Sequence, residues 1–438
     1  MRRALAFALC LIAALGNAFD ATARTLVRDS EIERTLQMMM NPIFDAADMP
    51  RDEIKIFILA DRSLNAFISR GRSMFLHTGL LQTLETPEEL MGVMAHETGH
   101  VTGGHLVKRI AAFEQARTQS IISTIIGVAA AAAGAGVGGF ALGSSGGTFA
   151  ERNLLRFTRS QEASADQASV TFLTRAGIDP AGTLKVLQRL EREQAYLVGN
   201  RDPYTLTHPL SRERIALLEE NVSRSPALGQ KASPEIYYWH ARMRAKLDGF
   251  ISAPTDNGDR WKTLDEIELY REAINLHRLP SPDRAVAAMD RLIAMRPDDP
   301  FYWELKGQIL RESGRGGDAV QPYTKALQLK PGDPLIASGL GEALLSQETP
   351  ASNAKALEIL SQAALDDPYD AGLRRPLAVA YARAGNDGMA AVATAERLAL
   401  SGRMSDAAIQ ARRAQAVLPK GSPGWLRADD VLALKPPN

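Results

Sequence analysis

A single cysteine in 438 residues, Cys10, leaves no disulfide framework to hold the chain together. Surplus charge is missing as well: 51 basic residues against 51 acidic ones give no signal for nucleic acid, which leaves proteins as the expected partners. Several clear membrane spans are lacking too, and that argues against an integral-membrane processing enzyme. Histidine is scarce, with seven in the chain, so a stretch that uses two of them within five residues is informative.

That stretch is His96-Glu97-Thr98-Gly99-His100. On a helix, positions i and i+4 share a face, so both imidazoles can reach one ion while Glu97 lies beside its open coordination position. A zinc ion with three protein ligands lowers the pKa of its bound water to about 7, and Glu97 is then placed as the general base for attack on a peptide carbonyl. Thr86-Pro87-Glu88-Glu89 supplies the helix start: a capping threonine, a proline at the first helical position, acidic residues at the positive end of the dipole, and Glu89 positioned for a capping box. Leu90, Val93, Met94 and Val101 recur at helical spacing and face a core.

A third ligand must come from elsewhere, and Glu162 in Ser160-Gln161-Glu162-Ala163-Ser164-Ala165-Asp166 is the best candidate. This segment reads as a helix continuing through Val170, Phe172 and Leu173 and stopping at Gly177, with Pro180 beyond. Glu162 and Asp166 share a face, so one can ligate while the other accepts a hydrogen bond from a ligating imidazole.

These residues resemble the gluzincin peptidases of the HtpX and CAAX-prenyl-protease type, whose pattern is H-E-x-x-H followed on a later helix by E-x-x-x-D. The resemblance covers roughly residues 30–225. It implies one zinc per chain on His96, His100 and Glu162, a catalytic Glu97 and a supporting Asp166. It extends to Leu64-Asn65-Ala66-Phe67, similar to the family's strand at the edge of the active-site cleft, and to His208-Pro209 with Arg214 downstream. The metzincin spacing fails, because His105 is out of register, which makes His105 a residue behind the ligands or on the surface.

His208 precedes a proline and so lies in extended chain, from which its ring can swing over the metal. Two roles compete there: donor to the tetrahedral oxyanion, or occupant of the fourth position that holds the enzyme latent. Before the zinc helix, Ile54–Ile58, Leu64–Ser69 and Ser73–Leu76 read as strands of a small antiparallel sheet, with a turn at Arg70-Gly71. An edge strand there would receive extended substrate by main-chain pairing, with Asn65 as a substrate-binding residue on that edge. His77 has no partner that the sequence names.

The N-terminus reads as a secretory signal over 1–23: Arg2-Arg3, an apolar run from Ala4 to Leu15, and cleavage after about Ala23. Cys10 leaves with it, and the expected location is the periplasm. Ile121 to Leu142 carries no charge and is near the length of a span, but its glycine-rich continuation to Gly147 suits a mobile flap, or a hairpin that touches a membrane surface or a membrane-bound substrate.

After about residue 225 a repeat emerges. Trp303, Gly307, Gly314, Ala319, Tyr323, Ala326 and Pro331 match the tetratricopeptide spacing. Ala285 and Pro297 fit a preceding unit, and Gly341, Ala356, Ala363 and Pro368 a following one with three extra residues near Thr349-Pro350. Tyr381, Gly385 and Ala390 mark another, and Ala407, Ala411, Ala414 and Pro419 a last partial one. Tyr237 to Leu247 is a further candidate helix. The expected fold is thus an α+β zincin-type domain over 24–225, with helices and a small antiparallel sheet, followed by an all-α tetratricopeptide solenoid over 226–438 whose groove binds protein. The signal, gluzincin core and repeat tail together resemble BepA-like periplasmic metalloproteases. That likeness implies degradation of stalled or misfolded outer-membrane proteins and docking of the solenoid on outer-membrane assembly machinery. The competing expectation is a non-proteolytic chaperone or assembly factor that keeps zinc for structure.

Overall fold

The computed structural model describes residues 26–69, 72–105, 108, 158–196, 208–279 and 281–434. The leader with Cys10, the turn at Arg70-Gly71 and the apolar stretch 121–147 lie outside the described residues. The chain forms two compact units: Thr35–His240 with the residues before Asp29, and Asp29–Arg34 with Ala241–Asn438.

In the first unit, β1 (Leu26–Val27), β2 (Lys55–Leu59), β3 (Ala66–Ser69) and β4 (Ser73–His77) form one sheet in the order β1-β2-β4-β3. The expected antiparallel sheet is instead mixed. β1–β2 and β3–β4 pair antiparallel, whereas β2 and β4 run parallel, from Lys55 opposite Ser73 to Leu59 opposite His77. The cause is strand order: two chain reversals give β4 the direction of β2, and β4 inserts between β2 and β3, which leaves β3 on the edge. Phe57, Phe75 and Phe67 stack across these three strands with centroids 5.3 and 5.1 Å apart, a cross-strand ladder that pins the register. His77, at the end of β4, does have partners, with Nδ1 2.8 Å from Ser63 Oγ and 3.6 Å from Asp61 Oδ1.

Helix α1 (Ser30–Ala46) gives Leu36, Met39, Met40, Ile43 and Phe44 to the core of this unit. After α2 (Thr78–Thr83), α3 (Pro87–Thr102) carries the histidine motif and packs across β3. Its start is as read from the sequence, with one difference. Thr86 Oγ1 accepts from Glu89 N–H at 3.4 Å, while the Glu89 carboxylate accepts from Glu85 N–H at 2.8 Å, one residue before the cap. Helix α4 spans 158–175 and ends where Gly177 turns at φ 69° and Ile178 N–H reaches back to the Leu173 carbonyl at 2.9 Å. Helices α5 (Ala181–Tyr196) and α6 (Arg212–Ser223) complete the unit.

Helix α7 (Pro234–Ile251) precedes ten helices that each pack on the next: Glu266–Arg278, Pro282–Met295, Pro300–Glu312, Gly316–Leu329, Pro334–Leu345, Pro350–Asp366, Ala371–Arg383, Asp387–Leu400, Met404–Val417 and Pro423–Ala433. This is the solenoid expected from the repeat. Its small residues have clear work: Tyr323 is 2% exposed, and a Cβ on Gly307 or Gly339 would lie 2.7 or 2.3 Å from its ring. The three extra residues near Thr349-Pro350 lengthen the second helix of their repeat, Pro350–Asp366, to 17 residues against 14 in Gly316–Leu329.

The second unit also buries an ionic cluster that the sequence did not disclose. Arg242 lies 3.9 Å over the Tyr302 ring, its Nε is 2.5 Å from Glu31 Oε1 and its other nitrogens grip Asp299. Lys246 Nζ is 2.7 Å from Asp29, 3.2 Å from Glu31 and 3.8 Å from Glu304, and Tyr270 donates to Glu31 at 2.5 Å.

Candidate metal centre

Two helices carry three of the four donors of the centre, and one glycine lets them meet. A Cβ on Gly99 would lie 2.9 Å from the Ala165 carbonyl oxygen and 3.0 Å from Ala168 Cβ, so α3 and α4 approach closely where the motif faces Glu162 and Asp166. The sequence pattern leaves the residue type at this position open, and packing makes it small.

The four donors converge. His96 Nε2 lies 3.1 Å from His100 Nε2, 3.4 Å from Glu162 Oε2 and 3.4 Å from His208 Nδ1; His100 Nε2 is 3.5 Å from Glu162 Oε1, and His208 Nδ1 is 3.0 Å from Glu162 Oε2. Metal–nitrogen and metal–oxygen bonds of about 2.0–2.1 Å give a tetrahedron with edges of about 3.3–3.4 Å, which the separations from His96 Nε2 approach, and one donor atom from each of the four residues lies within 4.8 Å of the others. His96, Glu162 and His208 are buried and His100 nearly so. His96 Nδ1 is 2.9 Å from Asp166 Oδ1 and His100 Nδ1 is 3.0 Å from His105 Nδ1. With both Nδ1 atoms so engaged, two Nε2 lone pairs face each other across 3.1 Å, an arrangement that calls for a cation between them.

Charge points the same way. Burial works against a charged His96, but Asp166 and Glu162 more than offset it and push the ring up to about 9, so without metal a proton occupies the place of the cation. Burial, with His96 next to it, holds His100 well below the ordinary imidazole range. Burial alone would raise Glu162; the His208 and His96 rings and the Arg214 guanidinium outweigh it and hold that carboxyl well below its ordinary value. Asp166 is lowered in the same manner, mainly by Arg214.

Arg214, noted in the sequence without a role, is 5% exposed and holds both acidic residues of α4: Nε and Nη2 meet Asp166 at 2.5 and 2.8 Å, and Nη1 is 3.0 Å from Glu162. Ser211 caps α6 through Arg214 N–H at 3.2 Å, which fixes this arginine one turn into the helix. Glu97 is buried, with Oε1 3.3 Å from His208 Nε2. Asn65 is buried one residue before the edge strand; its carbonyl accepts from His77 N–H at 3.0 Å, and its Oδ1 has no hydrogen-bond partner among the described residues. Asn65 is thus outside the cluster of four donors.

The comparisons agree with this chemistry. Residues 28–222 match the pattern of Peptidase family M48. The chain is similar to the beta-barrel assembly-enhancing protease of Yersinia pestis, 26% identical over 87% of this chain and 79% of that protein. It is also similar to the protein of the same name from Escherichia coli K12, 24% identical over 87% and 78%. The metalloprotease LoiP of Escherichia coli K12 is 26% identical over 47% of this chain and 76% of its own length. The buried donor set and the matched pattern coincide, and the chain is a metalloendopeptidase whose residues 28–222 match Peptidase family M48.

Proposed function

We propose that the chain is a zinc endopeptidase held latent by His208, with one zinc on His96, His100 and Glu162. The observation that carries this reading is the fourth donor, since His208 Nδ1 stands 3.0 Å from Glu162 and 3.4 Å from His96, where a catalytic site keeps its position for water. Of the two roles open to His208, this separation favours the latch. When bound, zinc lowers the pKa of a water to about 7 and polarises the scissile carbonyl. His208 swings out on its pre-proline chain, Glu97 loses its 3.3 Å neighbour, takes the proton of the attacking water and passes it to the leaving nitrogen. Asp166, fixed by Arg214, holds His96 with its Nδ1 protonated, and Asn65 beside the edge strand offers Oδ1 to a substrate backbone N–H laid along β3.

The wider setting belongs to the same proposal: export by the 1–23 leader, a peptidase domain over 24–225, and a repeat domain over 226–438 whose groove docks on outer-membrane assembly machinery. The substrates are then misfolded or stalled outer-membrane and envelope proteins, and the 121–147 stretch touches the membrane surface. The names of the two assembly-enhancing relatives support it. No described helix is long and apolar enough to cross a membrane.

A second reading, a chaperone with structural zinc, draws on the same four-donor closure, because structural sites are closed. Glu97 beside the donors speaks against it. Zinc content and casein hydrolysis of the mature protein, Glu97→Gln and His208→Ala decide. About one zinc per chain, a loss of at least ~10²-fold in Glu97→Gln and a gain in His208→Ala are expected. Zinc retained with no hydrolysis from any of the three establishes the chaperone reading.

A further inference from the structure

The geometry points to His105 as the positioning residue of the second ligating histidine, an inference that rests on the metal site proposed above. Five positions after His100, a continuous helix would carry His105 about 7.5 Å along the axis and about 140° around it, out of reach of the first ring. The helix instead ends. Gly103 is its C-cap and Gly104 turns at φ 62°, which folds the chain back so that His105 Nδ1 lies 3.0 Å from His100 Nδ1, with the ring planes 77° apart.

This placement is built. His105 is 6% exposed, its ring lies against the bare Cα of Gly103, where a Cβ would be 2.3 Å from Nε2, and its carbonyl accepts from Gln161 Nε2 at 3.1 Å. Gln161 is the neighbour of Glu162, so the backbone that carries His105 is tied to the helix that carries the third ligand.

The proton count assigns the direction. A ligating His100 gives its Nε2 lone pair to the metal and keeps its proton on Nδ1, so it donates and His105 Nδ1 accepts. His105 therefore selects the ligating tautomer of His100, as Asp166 does for His96, and the two histidines of the motif each have a dedicated acceptor.

The test measures zinc affinity of the full chain by chelator competition, together with thermal unfolding of the zinc-free forms. An asparagine amide oxygen falls where a histidine Nδ1 lies, whereas a glutamine amide reaches the Nε2 position against Gly103. His105→Leu and His105→Gln are therefore expected to weaken zinc by about 10- to 100-fold, while His105→Asn stays within a few-fold of wild type. Gly103 has φ −72°, which alanine adopts freely, so Gly103→Ala acts by displacing the ring and is expected to match His105→Leu. Zinc-free Leu and Asn variants are expected to unfold at the same temperature, since the role is exerted on the metal. Leucine binding zinc as tightly as wild type, or asparagine failing as leucine does, overturns the inference and leaves the metal site standing. A wild-type chain that takes up no zinc overturns the site and the inference with it.

Discussion

Each unit buries a cluster of acidic and basic side chains, and the two are closed by different means. In the repeat unit four carboxylates stand against two cations: Glu31 has Arg242, Lys246 and Tyr270, Asp299 has Arg242 with the backbone N–H groups of Phe301 and Tyr302, and Asp29 and Glu304 share Lys246. In the peptidase unit Glu162 and Asp166 meet the Arg214 guanidinium while Glu97 lies against the His208 ring, so three carboxylates stand beside one fixed positive charge while the rings are neutral. The first cluster also has two more acidic than basic groups, but a proton held on Glu304 offsets part of that excess, and no metal-ligand group gathers there among the described residues. The second gathers donors that suit a metal ion, and a proton on His96 is the partial substitute for one. Burial of charge is thus no sign of function by itself; a buried deficit beside convergent lone pairs is.

Removing one cation of the repeat-unit cluster should have the largest effect. Arg242→Ala leaves Glu31 and Asp299 buried with fewer donors and strips the face of Tyr302, and is expected to cost about 3–5 kcal/mol of the repeat unit's stability. Hydrogen exchange in the helices from Glu266 to Leu329 reads this directly, and zinc is not expected to restore the loss. Recovery on adding zinc would show that the two clusters are not closed independently. Removing the ion is the complementary break. At a hundred-fold excess over its Kd, zinc is expected to stabilise the peptidase unit by about 2.7 kcal/mol, seen as slower exchange in Pro87–Thr102 and 158–175 and no change in Pro300–Leu329.

The contrast also explains what was legible in the sequence. His96, Glu97, His100, Glu162 and Asp166 were readable because helical spacing alone puts i and i+4 on one face, and Thr86 and Gly177 mark where those helices begin and end. The repeat was readable because small residues recur at fixed distances. Arg214 acquires its partners only through tertiary approach, by way of the Gly99 crossing and the Ser211 cap, so no local pattern announces them; His105 was read as lying behind the ligands or on the surface, and the fold-back at Gly103 decides for the first. The ionic cluster of the repeat unit was opaque for the same reason, since Glu31 and Arg242 are 211 positions apart in sequence. Sheet direction failed because alternating residues fix which face is buried and not which strand is the neighbour.

The smallest effect separates the clusters by pH. Glu304 is half-buried, its side chain 20% exposed, among Asp29, Glu31 and Asp333 with Lys246 as its cation; loss of water comes first and outweighs Lys246, and together with the acidic neighbours it pushes the carboxyl up to about 7. A folded value above the unfolded 4.5 means that the native state holds the proton more tightly. The stability this group lends is full below about pH 4.5 and is lost as pH rises through about 7. Glu304→Gln should remove that slope and leave the repeat unit about 2 kcal/mol more stable at pH 8, a figure that allows for the residue's partial exposure. His96 gives the zinc-free peptidase unit a later window, with stability full below about pH 6.5 and lost as pH rises through about 9. Zinc takes the place of that proton and should abolish this second window while leaving the first untouched. Exchange rates recorded from pH 4.5 to 9 in both units, with and without zinc, distinguish the two, and a zinc-sensitive slope in the repeat unit would contradict the separation.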